Sequence, residues 1–104
     1  MTVHESSGSV LDELFEPEEA ADLKLKAALA RRIRDVMAQR KLTQKQTATL
    51  TGLRQPDVSK IVNYKFAEIG IDRLFRALNR LGVDVRIALP DHPEGGEGSV
   101  EVVA

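Results

Sequence analysis

Cysteine is absent from all 104 residues. That absence excludes a disulfide framework, a thiolate metal site and a thiol nucleophile, and it fits a reducing cytoplasm. No apolar run approaches the about 20 residues that cross a bilayer, and the first 22 residues hold no Lys or Arg to open a secretory signal. A cytoplasmic protein without a membrane partner is expected. Histidine is scarce: His4 and His92 stand near the two ends with no partner at ligand spacing, so no metal is expected. With no histidine in the middle of the chain, no phosphate-cradling glycine loop and no Ser-His-Asp arrangement, neither catalysis nor a cofactor is expected. At this length folding hides only about two-thirds of the unfolded surface, which leaves little room for a large cleft.

Charge is nearly balanced in total and strongly uneven in place. Residues 1–22 carry seven acids and no bases, residues 23–89 carry all 15 Lys and Arg against five acids, and residues 90–104 add four acids, for a net charge of −1. A basic middle between acidic ends points to a polyanion for the middle and a different, basic partner for an end.

Residues 1–16 mix Ser, Gly and acids, and only Val10, Leu11, Leu14 and Phe15 offer packing anchors, so this stretch reads as a flexible acidic arm. Pro17 suits a first helical turn, and Glu18, Glu19 and Asp22 suit the positive end of the helix dipole. Leu25, Leu29, Ile33, Val36 and Met37 then recur at threes and fours to about Arg40, with Arg31, Arg32, Arg34 and Arg40 mainly off the stripe. Thr43 with Gln46 forms a capping box for a short second helix, about Gln44 to Thr51, that Gly52 can end in a left-handed conformation. Pro56 opens a third helix with Arg54 or Gln55 as its cap, running to about Asn63. Ile71, Leu74, Phe75, Leu78 and Leu81 mark a fourth helix ending before Gly82. The period then changes to two: Val83, Val85, Ile87 and Leu89 alternate with Asp84, Arg86 and Ala88, which predicts one strand, stopped by Pro90. Residues 90–104 have the composition of a flexible acidic tail, so residues 17–89 form the expected domain.

Two short helices joined through a glycine-containing turn are the frame that major-groove reading requires. At 100° per residue, Val58, Ile61 and Val62 share one side of the third helix, while Pro56, Ser59, Lys60 and Asn63 share the other, with Gln55 leading. Gln55 suits adenine, Lys60 suits guanine acceptors or phosphate, and Pro56 offers an apolar surface to a thymine methyl. Gln44 and the amides opening the second helix, with Arg54 from the turn, suit phosphates. A lone predicted strand leaves backbone groups unpaired, so a second copy is expected to pair with it through Val83, Val85, Ile87 and Leu89. That homodimer would address an inverted-repeat operator in double-stranded DNA, with half-sites about one helical turn apart.

The segment LTQKQTATLTGLRQPDVSKIVNYK, followed by IDRLFRALNRLGV, resembles the Xre helix-turn-helix family of Cro and phage repressors over about residues 42–83. The resemblance implies an all-α, lambda-repressor-like bundle of about four helices, here with one C-terminal β-strand. It implies that Gln44 binds phosphate and that Gln55, Pro56, Ser59 and Lys60 face bases. Two positions depart from the pattern: Thr51 replaces an apolar residue before the turn glycine, and Tyr64 replaces a frequent glycine after Asn63.

With its leading SVLDELFEPEEAADLKLKAALARRIRDVM and closing LGVDVRIAL, the chain is also similar to the HigA-like antitoxins. That resemblance implies a homodimer that represses its own operon and neutralises a RelE or HigB-type ribonuclease toxin. Val10, Leu11, Asp12, Glu13, Leu14 and Phe15 are the expected toxin contact, because an acidic arm with apolar anchors can order on a basic partner. The alternatives are a stand-alone Xre-type repressor and a protein-only interaction module on the same fold.

Overall fold

The computed structural model describes residues 17–103, with side chains from Ala20 onward. Among the described residues four helices follow one another: α1 (Pro17–Arg40), α2 (Gln44–Thr51), α3 (Gln55–Val62) and α4 (Ile71–Arg80). The arm residues Val10, Leu11, Asp12, Glu13, Leu14 and Phe15 lie outside the described residues.

The stripe on α1 packs on α4 and α3, and α2 packs on α3 and α4. The core comprises Leu29, Ala30, Ile33, Val36 and Met37 from α1, Val58 and Ile61 from α3, Leu74, Ala77 and Leu78 from α4, and Leu53, Ile69 and Leu81 from the connections. Ile33, Ile61, Leu74 and Leu78 are almost fully buried, and each such side chain contributes about 1.5–3 kcal/mol relative to exposure. The periodicity therefore identified the packing face of α1 and α4. Leu25, Ile71 and Phe75 pack only partly buried against that core.

All four helices stop in the same way, with one residue turning left-handed. Lys41 (φ 53), Gly52 (φ 78), Tyr64 (φ 63) and Gly82 (φ 81) take that role. After α1, Leu42 N donates to Met37 O at 2.9 Å and Lys41 N to Ala38 O at 3.3 Å; after α4, Val83 N donates to Leu78 O at 2.9 Å and Gly82 N to Asn79 O at 3.0 Å. These paired bonds satisfy carbonyls that the helix itself leaves open. Glycine at 52 and 82 takes the turn without steric cost, whereas Lys41 and Tyr64 adopt it against their Cβ.

The strand expected over Val83–Leu89 is not formed; residues 83–89 belong to no regular element. Val83 is instead drawn into the end of α4, its amide on Leu78 O and its carbonyl accepting Asn79 Nδ2 at 3.1 Å. A strand takes its hydrogen bonds from a neighbour about 4.8 Å away, and no described segment of the chain pairs with this one. Val83 and Val85 pack partly buried against the core, while Ile87 and Leu89 stand 67% and 90% exposed. Beyond Pro90 the described chain makes one turn, closed by Gly95 N on His92 O at 2.9 Å.

Candidate nucleic-acid interface

The frame of the interface is α2, a three-residue turn and α3. Thr43 caps α2 as expected: its hydroxyl accepts from Gln46 N at 3.0 Å, and Gln46 Oε1 accepts from Thr43 N at 2.9 Å. At the other end Gly52 N donates to Ala48 O at 2.9 Å. Thr51, where the related pattern has an apolar residue, is buried and nevertheless satisfied. Its Oγ1 donates to Thr47 O at 2.7 Å and accepts from Leu53 N at 3.2 Å, so the hydroxyl takes up the first amide beyond the turn glycine. Gly52 is also tightly overlaid, since a Cβ there would collide with the Arg80 guanidinium.

The turn delivers α3 with Arg54 as its cap residue and Pro56 in its first turn. Val58 and Ile61 are fully buried, whereas Arg54, Gln55, Pro56 and Asn63 are exposed, and Ser59 and Lys60 are intermediate. Gln44, at the first position of α2, is partly exposed. All seven candidate DNA-contacting residues thus reach solvent, six of them on or capping α3. Asn63 is held in place by donating Nδ2 to Ser59 O at 2.9 Å and to Ser59 Oγ at 3.3 Å. Those two side chains form one polar unit at the trailing end of the face.

Asp57 is the residue that pattern reasoning passed over. It lies on the buried side of α3, with its side chain only 4% exposed, and its Oδ2 accepts from Arg73 Nη2 of α4 at 2.7 Å. Arg54 Nε stands 3.6 Å from the same oxygen, and Lys60 Nζ 4.0 Å from Oδ1. The Arg73 hydrogen bond holds the carboxyl below its ordinary range; burial pulls the other way, and the charges of Arg73, Arg54 and Lys60 add to the lowering. One buried carboxylate therefore fastens α3 to α4 and sits between two of the candidate DNA contacts. A signal existed in the sequence: Asp57 is four residues before Ile61, which puts an acid on the packing side.

The basic middle of the chain is partly consumed by architecture. Arg34 Nη1 donates to Ile61 O at 3.0 Å at the end of α3, Arg40 Nη1 to Leu81 O at 2.8 Å after α4, and Arg80 Nη1 to Thr51 O at 3.4 Å at the end of α2. Cations at the negative ends of three helices satisfy open carbonyls and oppose the helix dipoles. Arg34 also stacks over the Tyr64 ring, 4.1 Å from its centroid, an attraction between guanidinium and aromatic face that supports Tyr64 in its left-handed turn. Tyr64 N donates to Ile61 O at 3.3 Å and Lys65 N to Lys60 O at 2.7 Å, so α3 ends cleanly without the glycine usual there.

The profile of a family described as a helix-turn-helix domain matches residues 11–89. A solved structure described as an XRE family transcriptional regulator is similar to this chain with a TM-score of 0.73 and 32% sequence identity, covering 82% of this chain and 97% of that one. Comparison with curated proteins gives no significant match.

Proposed function

Because the chain belongs to the XRE family of helix-turn-helix transcriptional regulators, we propose that it binds an inverted-repeat operator as a homodimer and represses transcription there. Gln55, Pro56, Ser59, Lys60 and Asn63 meet base edges, and Gln44 and Arg54 hold the flanking phosphates. The observation that carries this reading is the division of α3: Val58 and Ile61 are fully buried, while Arg54, Gln55 and Pro56 stand in solvent at its leading end. A helix anchored on one side and polar on the other fits a groove as a rigid body.

Selection from randomised duplexes tests the reading. The enriched sequence should be an inverted repeat with half-site centres about one helical turn apart. Gln55→Ala should weaken binding to it by about 1–3 kcal/mol and relax preference at one base pair per half-site. Enrichment of no sequence, or a Gln55→Ala variant with unchanged affinity and preference, contradicts it.

The operator-bound dimer forms through residues 83–89. Ile87 and Leu89 are large apolar side chains left in solvent, and the segment's alternating pattern suits antiparallel pairing with a second copy. On this reading the strand forms only in the pair, since the described residues of one copy offer it no neighbour.

The chain acts, in addition, as the antitoxin of a type II module, neutralising a RelE or HigB-type ribonuclease and repressing the shared operon. Support comes from the acidic arm at residues 10–15 and from the HigA-like pattern of the leading and closing segments. A gene for a short basic ribonuclease beside this one is expected. A chain lacking residues 1–16 should keep operator affinity and lose neutralisation of that toxin in a growth assay; full neutralisation by the shortened chain contradicts the assignment.

A further inference from the structure

Lys60 does not stand alone on the recognition face. Its Nζ lies 3.6 Å from Glu68 Oε2, in the loop between α3 and α4, and 4.0 Å from Asp57 Oδ1. Asp57 is buried and committed to Arg73, so it is part of the fold. Glu68 is different: its side chain is 84% exposed and its carboxylate has no ion-pair partner other than Lys60 among the described residues. An acid at the edge of a surface that meets phosphates weakens binding by repulsion, and among the described side-chain hydrogen bonds and ion pairs Glu68 has a single partner, Lys60 on the recognition face. That combination calls for a role in recognition.

We propose that Glu68 is a positioning residue for sequence specificity: by holding the Lys60 ammonium it keeps this cation from acting as a free phosphate ligand, lowering affinity for arbitrary DNA more than for the operator. The inference rests on the reading that the exposed face of α3 meets DNA. On arbitrary sequence, affinity comes almost wholly from cations lying along phosphates and releasing counterions. A lysine on a flexible four-carbon stem adds readily to that count when it is unrestrained. With Glu68 beside it, Lys60 brings no net charge to the backbone. At the operator, the same ammonium meets a guanine edge at a fixed place, and an exposed ion pair is weak enough to yield to that contact. Breaking the pair therefore costs both binding modes alike, and at the operator the paired acceptors of a fixed guanine edge offset that cost, where one mobile phosphate contact offsets less of it.

The test uses the full chain and two probes: the duplex most enriched by the wild-type protein, and a shuffled duplex of equal composition. Glu68→Gln should raise affinity for the shuffled duplex by about tenfold and for the enriched duplex by about threefold or less, so their ratio falls by about threefold. The salt dependence on the shuffled duplex should steepen by about one phosphate contact. Because Glu68 acts through Lys60, the drop in ratio should vanish when the same change is made in a Lys60→Gln background. Equal changes on both duplexes, no change on either, or a ratio drop that persists without Lys60 would each overturn the proposal while leaving the recognition helix in its role. A wild-type chain that does not discriminate between the duplexes overturns both.

Discussion

Asp57→Ala should lower the unfolding free energy by about 2–3 kcal/mol at neutral pH, because it removes a charge-assisted bond across α3 and α4 from an almost fully buried site. The loss stays below the upper range for buried pairs, since the Arg73 side chain is 40% exposed and recovers water when its partner is gone. Asp57→Asn keeps the shape and removes the charge, and it should cost less. The two proteins also differ in their response to acid. The Asp57 carboxyl lies below its ordinary value of 3.8 in the folded chain, first through the Arg73 hydrogen bond. Its contribution is therefore complete above that value and is lost as pH falls through the lowered folded one. Urea unfolding at pH 7 and again near pH 3 should show the gap between wild type and Asp57→Asn closing on acidification. A gap of constant size would mean that the charge contributes nothing.

With the proposed pairing of two copies through residues 83–89, Ile87→Pro should leave the protein monomeric and reduce operator affinity by about a hundredfold or more. Proline lacks the donor that a central ladder position needs and fits poorly inside a paired strand. Loss of the second half-site removes the effective-concentration advantage of two linked recognition helices, which is on the order of 10²–10⁴. The four-helix core should survive, because Ile87 is 67% exposed and lies outside it. Sedimentation and operator titration of the variant, beside its thermal melt, separate these effects. A variant that stays dimeric and binds with wild-type affinity would move the interface to the helices.

The helices were legible because their determinants are local. Pro17, the Thr43 and Gln46 capping box, Gly52 and Pro56 each act within one turn of the element that they start or stop, and the stripe from Leu29 to Met37 repeats at the helical period. What stayed hidden depends on distant partners. The Asp57 to Arg73 bond spans sixteen residues, and the arginines 34, 40 and 80 reach carbonyls 27 to 41 residues away. From sequence alone such cations look like surface charge or phosphate ligands. Tyr64 looked like a flaw at the end of α3, yet the Arg34 stack compensates for its conformation. The pattern at 83–89 reads as a strand because alternation records which side is apolar, whereas pairing requires a neighbour that the described residues do not supply. Along α3, phase separated exposed from buried side chains correctly at Gln55, Pro56, Val58 and Ile61. It could not show that Lys60 is held between two carboxylates.

That α3 lies in the major groove is tested most directly by removing the purine N7 acceptor, which is exposed only there. Each purine of the enriched operator is replaced in turn by its 7-deaza analogue, and affinities are measured for wild type and Gln55→Ala. The account predicts that wild type loses about 1–3 kcal/mol at one adenine in each half-site, and that Gln55→Ala shows no further loss there while remaining sensitive at other positions. A wild-type chain indifferent to every 7-deaza substitution, or a Gln55→Ala variant with an unaltered pattern of losses, would contradict major-groove reading by this helix.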